Sequence, residues 1–265
     1  MLFCYLNLSQ ETNRNENGIT DFPVLEMCRK LLPQYLSMNH IASALRISLI
    51  IIVCTACTPK KEVKVVTREN VKDVLTQYGK ENPETEVLIE TDYGNMRIKL
   101  YEDTPLHRAN FVKQIKEGFY EKPEFYRIIY RFVIQGGEPG KRLPYDVPAE
   151  IKPNHFHKTG ALAMARLEEN NPEMQSSSTE FYIIHGGKYP DWEVTEDAKM
   201  HGITLSDEQR RVYTTVGGDM SLDEKYTVFG EVVEGLDVIE KIASVKVYNE
   251  EKPLKKVPFK ISVVH

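Results

Sequence analysis

The strongest constraint on this chain is the form of its apolar segments: short β-branched or aromatic runs, each closed early by Gly, Pro, Asn or Asp. Such runs fit strands. Val87–Thr91 and Met96–Tyr101, separated by Asp92-Tyr-Gly-Asn95, predict a hairpin. Phe125–Gly137 predicts a strand ended by a turn at Gly136-Gly137, and further strands are expected at 179–184, 226–233 and 259–264. Two helices frame them. Asp103-Thr104-Pro105 is a cap followed by proline at the first helical position, and opens a helix carrying Leu106, Ala109, Phe111, Val112 and Ile115 up to Gly118. The second runs from Gly235 to Ser244 with Leu236, Val238, Ile239 and Ile242. No repeat period is present. Many short strands with two framing helices predict an antiparallel barrel or sandwich.

Within Phe125–Gly137, strand alternation places Phe125, Arg127 and Ile129 on one face. A guanidinium keeps its charge, and burying it unpaired costs several kcal/mol, on the order of the penalty for other ions. The simplest account of Arg127 alone is an arginine that snorkels out or pairs with a carboxylate on a barrel rim.

At 265 residues and 41% hydrophobic, the chain has material for one good-sized domain and extensions. Residues 1–57 carry four basic and four acidic side chains, so the rest holds the whole net charge of −5. No basic block or aromatic-interleaved basic stripe occurs, which argues against nucleic acid as a partner. All four cysteines (Cys4, Cys28, Cys54, Cys57) precede residue 58, so the body of the protein has no disulfide or thiolate metal site. Cys54-Thr-Ala-Cys57 has CxxC spacing, but it ends an apolar run where a redox motif opens a helix after a strand.

Residues 1–37 lack a clear period and are read as an N-terminal extension ahead of a start at Met38. Residues 38–56 combine a weakly cationic start, the apolar core Ile47–Val53 and small residues, which fits a secretory signal peptide. A cysteine directly after such a segment resembles the lipobox of bacterial lipoproteins, with Cys54 where leucine is usual. That resemblance implies lipidation of Cys57 and a membrane-anchored, envelope-located protein that faces the periplasm. Residues 57–85 then form a polar tether containing a short amphipathic helix (Val71, Val74, Leu75, Tyr78) stopped by Gly79 and Pro83. The domain spans 86–265, with an insert at about 188–220 in which Ser206-Asp-Glu-Gln209 is a capping box.

Four segments, in order, resemble the cyclophilin-type peptidyl-prolyl cis-trans isomerases: Phe125-Tyr-Arg-Ile-Ile with Phe132-Val-Ile-Gln-Gly-Gly137, Gly160–Arg166, Thr179-Glu-Phe-Tyr-Ile183, and Thr227-Val-Phe-Gly-Glu-Val232. The resemblance implies a mostly β fold, a closed eight-stranded antiparallel β-barrel capped by two α-helices. It makes Arg127 the catalytic arginine, Phe132 and Val133 the grip on the proline ring, and Gln135 the group fixing the peptide backbone. Ala165, Arg166, Glu180 and Tyr182 match positions along the substrate groove, and Leu222 and Tyr226 its far side. The departures are Tyr126 where the family has histidine, Tyr130-Arg131 for its Pro-Gly bend, Glu180 for glutamine, Ser221 for tryptophan and Tyr226 for histidine. A carboxylate at Glu180 has three options: to pair with Arg127, to orient it, or to blunt it.

Rotating an X-Pro amide needs no nucleophile, metal or cofactor; it needs the twisted bond held better than either planar form. The expected activity is therefore isomerisation of proline-containing polypeptides during the folding of exported proteins, by a monomer. A binding module or chaperone that grips such segments with little turnover is the alternative. His155-Phe-His157 lacks a third ligand at useful spacing, so no metal site is expected. The insert is either a surface decoration or a lid or client-recognition wall beside the groove.

Overall fold

The structure, a computed structural model, describes residues 65–249 and 251–264. The extension, signal-peptide and Cys57 readings, and the CxxC spacing, lie outside the described residues. Among these, no helix is long and apolar enough to cross a membrane.

Eight antiparallel strands form one sheet that curls nearly closed. In chain order they are β1 (Glu86–Thr91), β2 (Gly94–Leu100), β3 (Glu124–Ile128), β4 (Val133–Gly137), β6 (Ala161–Met164), β8 (Phe181–Ile184), β9 (Val228–Glu234) and β10 (Phe259–Val263). The spatial order is β10-β1-β2-β9-β6-β8-β4-β3. The two ends of that series meet at a Glu124–Pro258 bridge, where Phe125 N–H donates to Val257 O (2.9 Å) and Phe259 N–H to Pro123 O (3.1 Å). A two-stranded ribbon, β5 (Asp146–Val147) and β7 (Ser176–Ser177), lies apart from this sheet.

Helix α2 (Pro105–Lys116) and helix α5 (Leu236–Ala243) complete the barrel core. Phe111 and Val112 from the first, and Val238, Ile239 and Ile242 from the second, join Ile89, Ile98, Phe125, Ile134, Phe181 and Phe229 in one buried cluster. Phe111 packs edge-on against both Phe181 and Phe229, with centroids 5.3 Å apart in each case. Alternation of apolar residues with period 2 builds this interior, as in Val87 and Ile89 or Met96, Ile98 and Leu100.

Three local features differ from the sequence reading. Phe125–Gly137 is two strands, not one: the chain folds back over Ile129–Phe132, and Gly136-Gly137 lies within β4. A Cβ on Gly136 would lie 2.9 Å from Phe125 Cδ1 and 3.2 Å from Glu124 O and Phe259 Cε1, so glycine serves close packing here and not a turn. Helix α1 (Val71–Glu81) continues through Gly79, which faces Ala109 of α2. Thr104 makes no side-chain cap to α2; its hydroxyl donates to Tyr101 O. The cap comes instead from Glu150, whose carboxylate accepts from Leu106 N–H (3.0 Å) and His107 N–H (2.9 Å). Glu150 also meets His107 Nδ1 (2.7 Å), and His107 Nε2 meets Ser176 Oγ (2.9 Å), so the buried imidazole is engaged at both nitrogens.

The insert folds as two helices, α3 (Asp191–His201) and α4 (Asp207–Thr215), the second opened by the predicted Ser206–Gln209 capping box. Val194, Ala198, Tyr213 and Met220 form its small core. Trp192 and Met200 of α3 are exposed. Its two ends are clasped: Gly187 N–H donates to Gly218 O (3.1 Å) and Gly218 N–H to Gly187 O (3.0 Å).

Two outcomes are expected. Gly136→Ala lowers unfolding free energy by about 1–3 kcal/mol in urea titration, since neither backbone nor two aromatic rings can yield cheaply. Burial pushes the phenol of Tyr78 up to about 12 and those of Tyr101, Tyr120, Tyr145, Tyr182 and Tyr213 further. The folded phenols keep protons that unfolded ones, at the ordinary value of about 10, lose. Their contribution is therefore intact below pH ~10 and falls as pH rises through ~12, which urea midpoints will show as level up to pH ~10 and declining from there to pH ~12.

Candidate active site

The site begins with an irregularity in β3. Phe125 pairs with Gly136 and Arg127 with Gln135, so the register shifts by one residue at Tyr126. This bulge breaks the alternation on which the sequence reading relied. Phe125 and Ile128 both enter the core, and Arg127 is turned out between them. Re-aiming one side chain is a common use of a bulge. Arg127 thus shares a strand with core residues without sharing their face.

Once turned out, the guanidinium is held on two sides. Nε donates to Glu251 Oε2 at 2.7 Å, and Nη1 donates to Gln135 Oε1 at 3.2 Å. Gln135 Nε2 in turn donates to Tyr126 Oη at 2.9 Å. Burial first, then the charge of the Glu180 carboxylate, pushes the Tyr126 phenol up, so it stays protonated. Of the three options for Glu180, pairing with Arg127 is not the one adopted. The carboxylate on the arginine is Glu251, 124 residues downstream.

The bend that follows is made without glycine. Arg131 adopts the left-handed conformation (φ 61°), at a cost of about 1–2 kcal/mol for a non-glycine residue. Its N–H donates to His185 Nδ1 (2.8 Å), which leaves the proton on Nε2 to be donated to Glu240 Oε2 (2.6 Å). That hydrogen bond holds the Glu240 carboxyl below its usual range. His185 N–H and Gly186 N–H both donate to Phe132 O, at 2.9 and 3.0 Å. These contacts over-determine the bend and set Phe132 beside Arg127.

Every groove and catalytic residue expected from the sequence lines one cleft of about 310 Å³: Arg127, Phe132, Val133, Gln135, Ala165, Arg166, Glu180, Tyr182, Leu222 and Tyr226. Arg142, Leu167 and Ser177 complete its wall. Val133 and Tyr182 are buried in a second apolar cluster, against which Phe132, Ala165, Leu222 and Tyr226 pack. The cleft is the exposed side of that cluster. Arg166 is already engaged: Nε donates to Lys225 O (2.9 Å) and the guanidinium lies 4.7 Å from the Tyr226 ring centroid. Tyr226 Oη donates to Glu168 (2.9 Å), and its ring stands edge-on to Tyr182. The result is an apolar floor sized for a small ring, with an oriented charged donor at its edge.

His155 and His157 go to separate partners: His155 to Asp103 (2.7 Å), stacked on Tyr101, and His157 to Asp223 (2.8 Å). Glu251, Arg142 and His185 were missed by sequence reasoning. Arg142 and Glu251 lie in turn-rich stretches with no periodicity to mark them, and His185 follows a strand that reads as ordinary core. A search for a carboxylate to match an outward-turned Arg127 would have offered too many candidates among 39 acidic residues.

The family model for cyclophilin-type peptidyl-prolyl cis-trans isomerases matches residues 86–264. A Staphylococcus saprophyticus protein described as "Putative peptidyl-prolyl cis-trans isomerase" is 32% identical over 179 residues, spanning 64% of this chain and 87% of that protein. A protein of the same description from Staphylococcus aureus (strain NCTC 8325) is 33% identical over 181 residues, with the same coverage. Among solved structures, a cyclophilin-type isomerase of Cryptosporidium parvum superposes with a TM-score of 0.51 at 20% identity, covering 69% of this chain and 98% of that one. The barrel, the four ordered segments and the family match agree: this chain belongs to the cyclophilin-type peptidyl-prolyl cis-trans isomerases.

Proposed function

We propose that this isomerase accelerates X-Pro rotation in exported proteins by presenting Arg127 to the twisted amide. The observation that carries the reading is the guanidinium fixed by Glu251 and Gln135 at the edge of an apolar cleft. Resonance gives the amide a barrier of about 18–20 kcal/mol, whereas cis and trans X-Pro differ by only about 0.5–1 kcal/mol. The task is therefore rate. With the proline ring against Phe132, Val133, Tyr182 and Leu222, twisting returns lone-pair density to the prolyl nitrogen. Nε–H and one N–H of Nη1 of Arg127 are committed, and Nη2, which has no hydrogen-bond partner among the described residues, offers both of its N–H groups to that nitrogen. A donor oriented before the reaction needs no reorganisation when the charge appears.

The Arg127–Glu251 pair also favours a second reading. Both side chains are about two-fifths exposed (39% and 42%), so the pair is worth little to stability. Its carboxylate nevertheless offsets part of the guanidinium's charge, which would suit a module that grips proline segments with little turnover. We take orientation as the dominant effect, since Ile128 N–H donates to Glu251 O (2.8 Å) and fixes the loop against β3.

We also propose that lipid on Cys57 tethers the domain to the cell envelope, facing the periplasm. This rests on the apolar run and small residues ahead of that cysteine.

A protease-coupled assay on an Ala-Ala-Pro-Phe tetrapeptide tests the mechanism. Arg127→Ala is expected to lower kcat/KM by about 10²–10³ while proline-peptide binding persists. Absent wild-type turnover with intact binding would establish the second reading, and turnover indifferent to Arg127→Ala would remove the arginine from the mechanism. Glu251→Ala should lower kcat by roughly three- to tenfold, the worth of one oriented hydrogen bond; an increase would mean that Glu251 blunts the site. Cys57→Ser should move the protein from the membrane pellet to the supernatant on fractionation, and an unchanged distribution would dismiss the lipid anchor.

A further inference from the structure

One group of buried polar side chains is not used by this mechanism. Tyr213, in α4 of the insert, donates from Oη to Asp223 Oδ2 at 2.5 Å. Asp223 Oδ1 accepts from both the backbone N–H and Nδ1 of His157, each at 2.8 Å. His157 Nε2 lies 3.0 Å from Tyr182 Oη, and Tyr182 lines the cleft. Relative exposures are 0% for Tyr213 and His157, 3% for Asp223 and 5% for Tyr182, so no link in the chain is exchanged freely with water.

The donor sense is set by the groups themselves. Burial pushes both phenols well above their ordinary value, so each keeps its proton. Asp223 accepts at both oxygens, which places a proton on His157 Nδ1 and leaves Nε2 to accept from Tyr182. The His157 ring also lies parallel to Tyr182, with centroids 6.0 Å apart and planes 14° apart. One end of the relay belongs to the insert and the other to the proline floor.

We propose that Tyr213, Asp223 and His157 are positioning residues for the proline site: they fix the Tyr182 ring through its hydroxyl, and so make the insert a support for substrate binding. The inference rests on the cleft being the proline site. A free Tyr182 ring would tilt against Phe132 and Leu222, at the expense of the binding surface and not of the Arg127 donor. The expected signature is therefore in KM and peptide affinity. It is neither that of a lid nor that of a decoration.

The test is a double-mutant cycle between Tyr213→Phe and Tyr182→Phe, each of which removes one hydroxyl and keeps the ring. KM in the tetrapeptide assay and Kd for the same peptide are measured on folded protein. Each single variant is expected to raise both by roughly three- to tenfold with kcat near wild type, and the double variant to go no further than either alone. An unchanged KM and Kd in a folded Tyr213→Phe protein, or additive effects in the double variant, would overturn the relay while leaving the proline site intact. If Tyr213→Phe fails to fold, Tyr182→Phe decides: unchanged KM and Kd overturn the proposal. A wild-type protein that neither binds nor turns over the peptide removes the site itself, and the relay with it.

Discussion

The structure of the cleft depends on one extra residue in β3. A β-ladder with perfect alternation would send Arg127 into the core beside Phe125, where an unpaired guanidinium is prohibitively costly. The bulge at Tyr126 lets two apolar residues, Phe125 and Ile128, enter the core while Arg127, between them, turns to the cleft. The hairpin then has to close over Ile129–Phe132, and the left-handed Arg131 does so under the direction of His185. Arginine placement, bend geometry and the seat of Phe132 are thus one problem with one solution.

Around that solution, polar groups find their partners over long sequence distances. Glu150 caps a helix that begins 45 residues before it, Glu251 orients Arg127 from near the C-terminus, and His185 links a bend to α5 through Glu240. Each link ties a segment without regular structure to one that has it. This explains how a proline-rich stretch such as 139–153 takes a fixed path: its carboxylate is needed at α2, and Glu150 N–H is needed at Thr227 Oγ1 (3.0 Å).

Much of the barrel could be read from local patterns, because period-2 alternation and turn residues are local properties. The β1–β2 hairpin and helix α5 fall within a residue or two of their expected places. The cleft residues were legible only as ordered motifs, since nothing in the composition of Phe132, Tyr182 or Leu222 separates a pocket wall from core. The misreading of Phe125–Gly137 as one strand has a definite cause. Tyr130-Arg131 is marked as a bend only by the family resemblance, since it turns without glycine, and Gly136-Gly137 stays straight with two. Helix α3 was unread because its largest apolar residues, Trp192 and Met200, point to solvent and spoil the periodicity. The partners of Arg127 and His157 were beyond local reasoning for a simpler reason: the fold alone brings them together.

The glycine clasp at the base of the insert has an evolutionary reading. Because Gly187 and Gly218 meet through a reciprocal pair of backbone hydrogen bonds, the barrel sees the same two anchor points whatever lies between them. Loop-closure entropy grows only logarithmically with length, so roughly doubling such a segment costs the barrel about 0.6 kcal/mol. The position is therefore open to insertion, exchange or loss without disturbing strand register. A neutral appendage grafted at such a point needs only one side chain reaching inward to become answerable to selection on the barrel's chemistry.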